Sequence, residues 1–339
     1  MDALNNPMYL FWMADATLLT AGLHYMLTGK MQRRGALTWL TWALGIVLGV
    51  VCAKAVYAVI ECLQFAMATG LKNFRLMDAL LSTDLSRISY FGGVLGVCLG
   101  AALAGKITGN RPMAALNAYA PAGMLMAALA RFGEGFLGTL CAGRMIENER
   151  LWFFPVAVQN SWGEGYLAVF LLAGLCCQAV CALSLWGFRE DRFLRTLFYL
   201  CLPQILLESL RGQSLVVHEF VRIEQLICMV VIEVILILYG VWGKGHKARF
   251  VPAAVGLACA GLFVAVEFTL GGKLFNSVGE DYGLVRRVIA EEEDWIGEAG
   301  GKTNWTPFLA YCAMALGLAV LAWMEMLGYK NARERLRKA

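Results

Sequence analysis

The sequence predicts an all-α, polytopic membrane helix bundle of about nine transmembrane helices, with the N-terminus outside and the C-terminus inside. Of the 339 residues, 59% are hydrophobic and 16% are charged, whereas soluble proteins are about 45–50% apolar and about 25% charged. Two further observations are nine apolar runs and an alternation of basic loops. Together they exclude an ordinary cytosolic enzyme, a disordered chain and a disulfide-stapled secreted module, and the net charge of +4 does not indicate a nucleic-acid partner.

Each apolar run is a candidate span, because about 20 mostly apolar residues cross the hydrocarbon core as a helix. The second run is long enough to tilt or to continue past the membrane, and the sixth is short and contains Pro203. The first run is too long for a signal-peptide core and has no basic residues before it, so we expect a retained helix. The runs are 8–28, 37–68, 89–105, 113–139, 165–187, 194–210, 222–242, 250–270 and 306–328.

Basic residues set the predicted orientation, because Lys and Arg in short loops stay on the cytoplasmic side. Alternate loops are short and carry Lys or Arg, as does the C-terminal tail, whereas the intervening loops are longer and mixed in sign. The long loops 70–88, 140–164 and 271–305 are therefore predicted to face outward. Within the last of them, residues 284–298 are expected to form a short amphipathic interfacial helix with Trp295 at headgroup depth.

Cysteine and histidine do not indicate a metal site. The eleven cysteines lie mostly inside apolar runs, and none is part of a CxxC pair. The three histidines, His24, His218 and His246, are scattered. We therefore predict no metal and no cofactor, and buried cysteines that act as small hydrophobic residues.

Ionisable residues inside predicted spans are candidate functional residues, because a charge in hydrocarbon needs a partner or water. Arg131 and Glu134 are three residues apart and share a helix face, and Glu208 and Arg211 repeat that spacing. In the predicted orientation both pairs fall toward the outer ends of their helices. They predict a polar cavity open to the outer leaflet, and the alternative is two structural ion pairs that hold the bundle together.

Two other groups carry weaker signals. Gly92, Gly96 and Gly100 form a ridge that lets another helix approach closely, and at the predicted outer mouth Gly92 and Gly93 could also lie against a ligand headgroup. Glu267 and Glu325 are near helix ends, where we expect their carboxylates to extend to the interface.

Several short segments, taken in order, resemble the bacterial prolipoprotein diacylglyceryl transferase family over about residues 5–243. Residues 53–59 (AKAVYAV) are similar to that family's Ala-Arg-Leu-x-Tyr-Val-Leu, and residues 88–96 (ISYFGGVLG) to its Leu-Ser-Phe-His-Gly-Gly-Leu-Leu-Gly. Ala120-Pro121 with residues 130–133 (ARFG) is similar to the start of its signature, and Glu208 with Arg211 to its Glu-Phe-x-Arg. The main departures from the pattern are Phe91 in place of His, Glu134 in place of Asn and Gln204 in place of Arg, and the downstream Asn and Glu of the signature have no clean match in residues 135–143 (GFLGTLCAG).

The resemblance implies a seven-helix transferase-like core at 1–243 in the bacterial plasma membrane. Residues 244–339 would add two helices, the outward loop and a basic cytoplasmic tail. The implied reaction moves a diacylglyceryl group from phosphatidylglycerol to a cysteine thiol of a prolipoprotein. The expected catalytic residues are Arg131, Glu134 and Glu208, and the expected substrate-binding residues are Arg211, Tyr57, Tyr90, Gly92, Gly93 and Gln204.

The chemistry of that reaction matches these residue types. Arg131 and Arg211 could stabilise the phosphate that leaves, and Glu134 or Glu208 in a dry site could take the proton of the thiol. Two alternatives remain open at this stage. One is a homologue that binds or transports a phospholipid or another amphiphile without chemistry, and the other is a membrane assembly protein that uses loop 271–305.

Overall fold

The computed structural model describes residues 6–69, 89–146, 149–188, 190–211, 217–218, 221–243, 248–270, 298–299, 302–303 and 306–336. Loop 70–88 lies outside these residues, as do most of loop 271–305 and the interfacial helix expected around Trp295.

Within the described residues, α-helices form at all nine predicted positions. The helices are α1 Pro7–Leu27, α2 Arg34–Thr69, α3 Tyr90–Ile107, α4 Pro112–Gly133, α5 Val169–Ala182, α6 Arg192–Leu210, α7 Ile223–Trp242, α8 Val251–Leu270 and α9 Thr306–Leu336. A 3₁₀ helix at Glu134–Cys141 continues α4, and a π turn at Leu183–Gly187 continues α5. A further 3₁₀ helix is present at Glu149–Leu151. The described residues also form three two-stranded antiparallel ribbons: β1 Ala157–Gln159 with β2 Gly165–Leu167, β3 Val217–His218 with β4 Val221–Arg222, and β5 Glu298–Ala299 with β6 Lys302–Thr303.

Seven stretches in the described part of the chain are long and apolar enough to cross a membrane. They belong to α2 to α7 and α9, with α4 and α5 counted together with their continuations. In α8 the apolar stretch is shorter, at Val251–Glu267, and α1 does not meet the same criteria. The all-α polytopic bundle is therefore confirmed, whereas nine spans and the N-out orientation stay predictions.

The chain divides into two compact units. The first contains residues 1–145, 151–200 and 211–216, and the second contains 146–150, 201–210 and 217–339. Helix α6 therefore contributes its first half to one unit and its second half to the other. The division at residue 243 into a core and an extension stays a prediction.

In the first unit, α2 and α3 pack closely along the glycine ridge predicted from the sequence. A Cβ atom at Gly100 would lie 2.7 Å from the backbone nitrogen of Gly45, and one at Gly96 would overlap the carbonyl oxygen of Leu48. Both residues are buried. The two helices approach so closely because α3 has no side chains at these positions.

The short loops before α2 and before α4 are joined by a pair of hydrogen bonds. Asn110 Oδ1 accepts from the Gln32 amide at 3.1 Å, and Asn110 Nδ2 donates to the Gln32 carbonyl at 3.0 Å. Both loops belong to the predicted cytoplasmic set. Their contact agrees with the predicted alternation, in which every second loop lies on the same side.

The β1–β2 hairpin of the first unit is closed by the side chain of Asn160. Its Oδ1 accepts from the amides of Trp162 and Glu164 at 2.9 and 3.0 Å, and its Nδ2 donates to Glu164 Oε2 at 2.6 Å. Asparagine suits such a turn because its side chain satisfies nearby backbone donors. Strand β1 and the turn lie in the predicted outer loop 140–164, whereas β2 takes the first three residues of the predicted span 165–187, where the helix begins only at Val169.

The second unit is built by the second half of α6 together with α7, α8 and α9. Gly317 of α9 packs on the ring of Phe263 in α8, where an added Cβ would lie 2.6 Å from Cε1. Gly256 of α8 packs on Leu236 of α7 in the same way. Helix α9 continues to Leu336, so the predicted cytoplasmic tail is largely helical.

Candidate functional site

The Arg131–Glu134 pair lies where α4 ends. The α-helix ends at Gly133, and the chain tightens into the 3₁₀ helix that begins at Glu134. Residues three apart are neighbours on a helix surface and eclipse each other in a 3₁₀ turn. Arg131 Nη1 accordingly donates to Glu134 Oε1 at 2.6 Å, and the pairing predicted from the spacing is confirmed.

Helix α1 covers one side of this turn. A Cβ at Gly133 would lie 2.6 Å from Cδ1 of Trp12, and Trp12 Nε1 donates to the Leu129 carbonyl at 2.6 Å. Asn6, which caps α1, donates its side-chain amide to the Phe136 carbonyl at 2.7 Å. The end of α4 is thus held by the start of α1, which fixes the backbone that carries the ion pair.

The guanidinium of Arg131 is buried, with only 5% of the residue exposed. Its Cζ lies 4.5 Å from the ring centroid of Tyr90, within the range of a cation–π interaction. Its Nη2 is buried and has no hydrogen-bond partner within the described residues. A buried guanidinium nitrogen without a partner is rare, and an anion of the substrate would satisfy it.

A second guanidinium approaches the same carboxylate. Arg211 follows directly after α6 and is bridged to the backbone of Gly143. Its Nη2 lies 3.8 Å from Glu134 Oε2. Glu134 Oε1 is taken by Arg131, whereas Oε2 is buried and has no hydrogen bond from the described residues. One carboxylate therefore faces two guanidinium groups.

Cys141, at the end of the 3₁₀ helix, titrates under the influence of this cluster. Burial is the main cause that raises the pKa of its thiol to about 11, and Glu134 raises it further. Arg211 and Arg131 oppose the increase. The thiol therefore stays protonated near neutral pH.

The residues expected around the headgroup have different surroundings. A Cβ at Gly92 would lie 2.7 Å from the Cys52 carbonyl oxygen, so helix packing accounts for Gly92. A Cβ at Gly93 would meet only the Ala53 methyl at 3.8 Å. Tyr57 is half-buried one turn beyond Ala53 on α2. Contacts of Tyr57, Gly92 and Gly93 with substrate stay predictions.

Phe91 occupies the position where the resembled family has histidine. It is buried, and its ring meets that of Tyr90 edge-on with centroids 5.2 Å apart. The position therefore holds an apolar ring beside the ring that covers Arg131.

Gln204 and Glu208 belong to the second unit, and both are buried. Gln204 Nε2 donates to Glu208 Oε2 at 3.0 Å across one turn of α6. The substitution of Arg by Gln at 204 thus leaves a neutral donor for this carboxylate. The cluster in the first unit comprises Tyr90, Arg131, Glu134 and Arg211.

The second unit holds a further carboxylate that was placed wrongly from the sequence. Glu267 is 4% exposed, so the expectation that it extends to the interface is wrong, as it is for the fully buried Glu325. Ser209 Oγ and Gln225 Nε2 both donate to Glu267 Oε1, the latter at 2.8 Å. The sequence offered no signal for this contact, because the three residues lie on three different helices.

A model of the prolipoprotein diacylglyceryl transferase family matches residues 8–241. The chain belongs to that family. No curated protein matches the sequence. Family membership makes the chain a multi-pass protein of the bacterial plasma membrane and relates it to lipoprotein biosynthesis, in which a phospholipid donor and a prolipoprotein acceptor meet in the membrane. Helices α8 and α9 lie beyond the matched residues.

Proposed function

We propose that the protein transfers a diacylglyceryl group from a phosphatidylglycerol-like phospholipid to the cysteine thiol of a prolipoprotein. The observation that supports this most is the buried Arg131 guanidinium. Glu134 and Tyr90 hold it in place. Its Nη2 has no hydrogen-bond partner among the described residues and can donate to an anion. A phosphate diester headgroup offers such an anion, and charge-assisted hydrogen bonds to it are stronger than neutral ones.

The reaction then follows from the cluster. The cysteine sulfur attacks the glycerol carbon that bears the phosphate, an S–C bond forms, and the C–O bond to phosphate breaks. The electron pair of that bond leaves on the phosphate oxygen, so glycerol phosphate departs with an additional negative charge. Arg131 and Arg211 stabilise this developing charge, which is worth most in a site that excludes water.

Glu134 is the proposed base for the thiol proton. Its Oε2 accepts no hydrogen bond from the described residues, whereas Oε1 is held by Arg131. When Oε2 takes the proton, Glu134 loses its charge, and both guanidinium groups become available to the leaving phosphate. Proton transfer and phosphate stabilisation are thereby coupled through one side chain.

The remaining predicted residues keep their proposed roles. Glu208, held by Gln204, is a second acidic group for proton transfer. Tyr57, Tyr90 and Gly93 are proposed to contact the lipid headgroup, with Gly93 leaving room for it. Gly92 is proposed to act through the α2 contact that sets the position of its neighbours.

The test is transfer from phosphatidylglycerol to a lipobox peptide, followed as thioether product in membranes that lack another such enzyme. Glu134→Gln is expected to abolish transfer, and Arg131→Ala to lower it by about 100-fold or more, the loss typical when one donor to a developing anion is removed. Glu149→Gln, at an exposed carboxylate, is the matched control. Full activity of Glu134→Gln would refute the role of Glu134 as the base. Absence of thioether product with the wild-type protein would refute the proposal that it is a transferase.

A second candidate function is favoured by Phe91. The buried apolar ring removes the imidazole expected at this position, which supports a protein that binds a phospholipid without chemistry. That function predicts binding of phosphatidylglycerol that depends on Arg131 but no thioether product from the wild type.

A further inference from the structure

The buried carboxylate of Glu267 joins three helices of the second unit. It lies near the end of α8 and accepts from Ser209 at the end of α6 and from Gln225 in the first turn of α7. All three side chains are buried, at 4%, 0% and 0% exposure. Within the described residues both partners of the carboxylate are neutral donors.

Gln225 extends the same network to the backbone. Its Nε2 also donates to the Ile205 carbonyl at 2.9 Å, and its Oε1 accepts from the Arg222 amide at 3.2 Å. Glu267 and Gln225 thus hold the end of α6 at two points, Ser209 in the last turn and Ile205 one turn earlier. Glu208 lies in the last turn, and Arg211 follows it directly.

Glu267 lies outside the residues that match the family. The match ends at 241, before α8 begins at Val251. Glu208 and Gln225 lie inside the match, so the network connects a helix of the C-terminal extension to the family core.

We propose that Glu267 is a positioning residue for the transfer reaction, which makes α8 a part of the catalytic apparatus. This inference rests on the proposed function. Glu267 acts through Ser209 and Gln225, which fix the last turn of α6, the turn that carries Glu208. Displacement of a reacting group by about 1 Å can lower a rate by about 100-fold, so loss of this anchor is expected to affect kcat more than KM.

The test is a double-mutant cycle on Ser209 and Glu267, with transfer from phosphatidylglycerol to a lipobox peptide measured on the full chain in micelles. Ser209→Ala and Glu267→Leu are each expected to lower kcat by about 10- to 100-fold with KM for the lipid within about twofold. The kcat of the double variant should be no lower than that of the less active single variant, because both changes remove the same contact. Glu267→Gln keeps an acceptor oxygen and should recover most of the activity.

The matched control is Glu233→Leu. Glu233 is another carboxylate at the contact of α7 with α8, where it lies against Gly256. It is eight residues after Gln225, about 12 Å further along the helix at 1.5 Å per residue. Its substitution removes a carboxylate from the same pair of helices without touching the α6 turn, so kcat should stay at the wild-type value.

The outcomes separate the two proposals. If the wild type transfers lipid and Glu267→Leu retains full kcat, the positioning role is refuted and the transferase stands. The positioning role is also refuted if the free-energy costs that the two single changes impose on kcat add up in the double variant, because Ser209 and Glu267 would then act independently. A wild type without activity refutes both proposals. Should Glu267→Leu fail to fold, Ser209→Ala decides, since it leaves the carboxylate in place: unchanged kcat in that variant refutes the role.

Discussion

Gly92 and Gly93 are adjacent, yet alanine is expected to have opposite effects at the two positions. At Gly92 the added Cβ would lie 2.7 Å from the Cys52 carbonyl oxygen, 2.9 Å from Ala53 Cα and 2.9 Å from Val56 Cβ. Two of these three atoms are backbone of α2, which cannot rotate away as a side-chain end could. At Gly93 the Cβ meets a single methyl at the ordinary distance of 3.8 Å.

The magnitudes follow from two opposing effects. Overpacking a close contact destabilises a protein by about 1–3 kcal/mol, and alanine in a helix interior is about 0.5–1 kcal/mol better than glycine. Because backbone atoms of α2 cannot move aside, the overpacking cost at Gly92 is taken at the upper end, about 3 kcal/mol. Gly92→Ala is therefore expected to lower the free energy of unfolding by about 2–2.5 kcal/mol, and Gly93→Ala to raise it by about 0.5–1 kcal/mol.

The assay is reversible unfolding in mixed micelles, with each variant compared with the wild type at equal lipid content. Transfer activity measured alongside separates the two proposed roles: Gly93→Ala should lose activity without losing stability if the headgroup lies against this residue. A Gly92→Ala protein as stable as the wild type would mean that α2 and α3 are not in the close contact described, and the packing account of Gly92 would fail.

Three further predictions concern the cluster and the orientation. Tyr90→Leu should destabilise the protein by about 0.5–2 kcal/mol through loss of the cation–π contact with Arg131, whereas Tyr90→Phe keeps it; equal unfolding free energies for the two would contradict this. Alkylation of Cys141, followed by site-resolved mass spectrometry, should be about 100-fold slower near pH 7 than alkylation of a thiol of pKa 9. The alkylation rate should keep increasing until the pH passes about 11, above which the thiolate predominates. A rate that levels off near pH 9 would contradict the burial of the thiol. Alkaline phosphatase fused after Glu164 should be active and a fusion at the C-terminus inactive, and the reverse pattern would overturn the N-out orientation.

Hydrophobic runs predicted the helices well, because the length of an apolar segment is a local property that the bilayer thickness sets. Pro203 did not interrupt α6, and α9 extends beyond its apolar stretch because polar, helix-forming residues follow it to Leu336. The number of spans was less predictable. Helix α1 is not among the described stretches that are long and apolar enough to cross a membrane, and Asp15 and His24 lie within its apolar run.

The candidate site was predictable to the extent that its contacts are local. The i, i+3 spacing was enough for Arg131 with Glu134. The approach of Arg211 to Glu134 joins two distant segments, which spacing along the chain does not predict. The pair of Arg211 with Glu208 that the spacing along α6 predicts stays a prediction. The expectation that Glu267 extends to the interface was wrong because it, too, depends on contacts between distant segments. Proximity to a helix end predicts exposure only where no other helix covers that end.

The glycine ridge of α3 has a consequence for how lipid can enter the protein. Gly96 and Gly100 lie directly against the backbone of α2, so at these two positions α3 has no side chain that could rotate to open a passage. Separating the two helices would lose the close backbone packing that these glycines permit. If the proposed lipid donor reaches Arg131 from the bilayer, we expect its acyl chains to pass between helices other than α2 and α3.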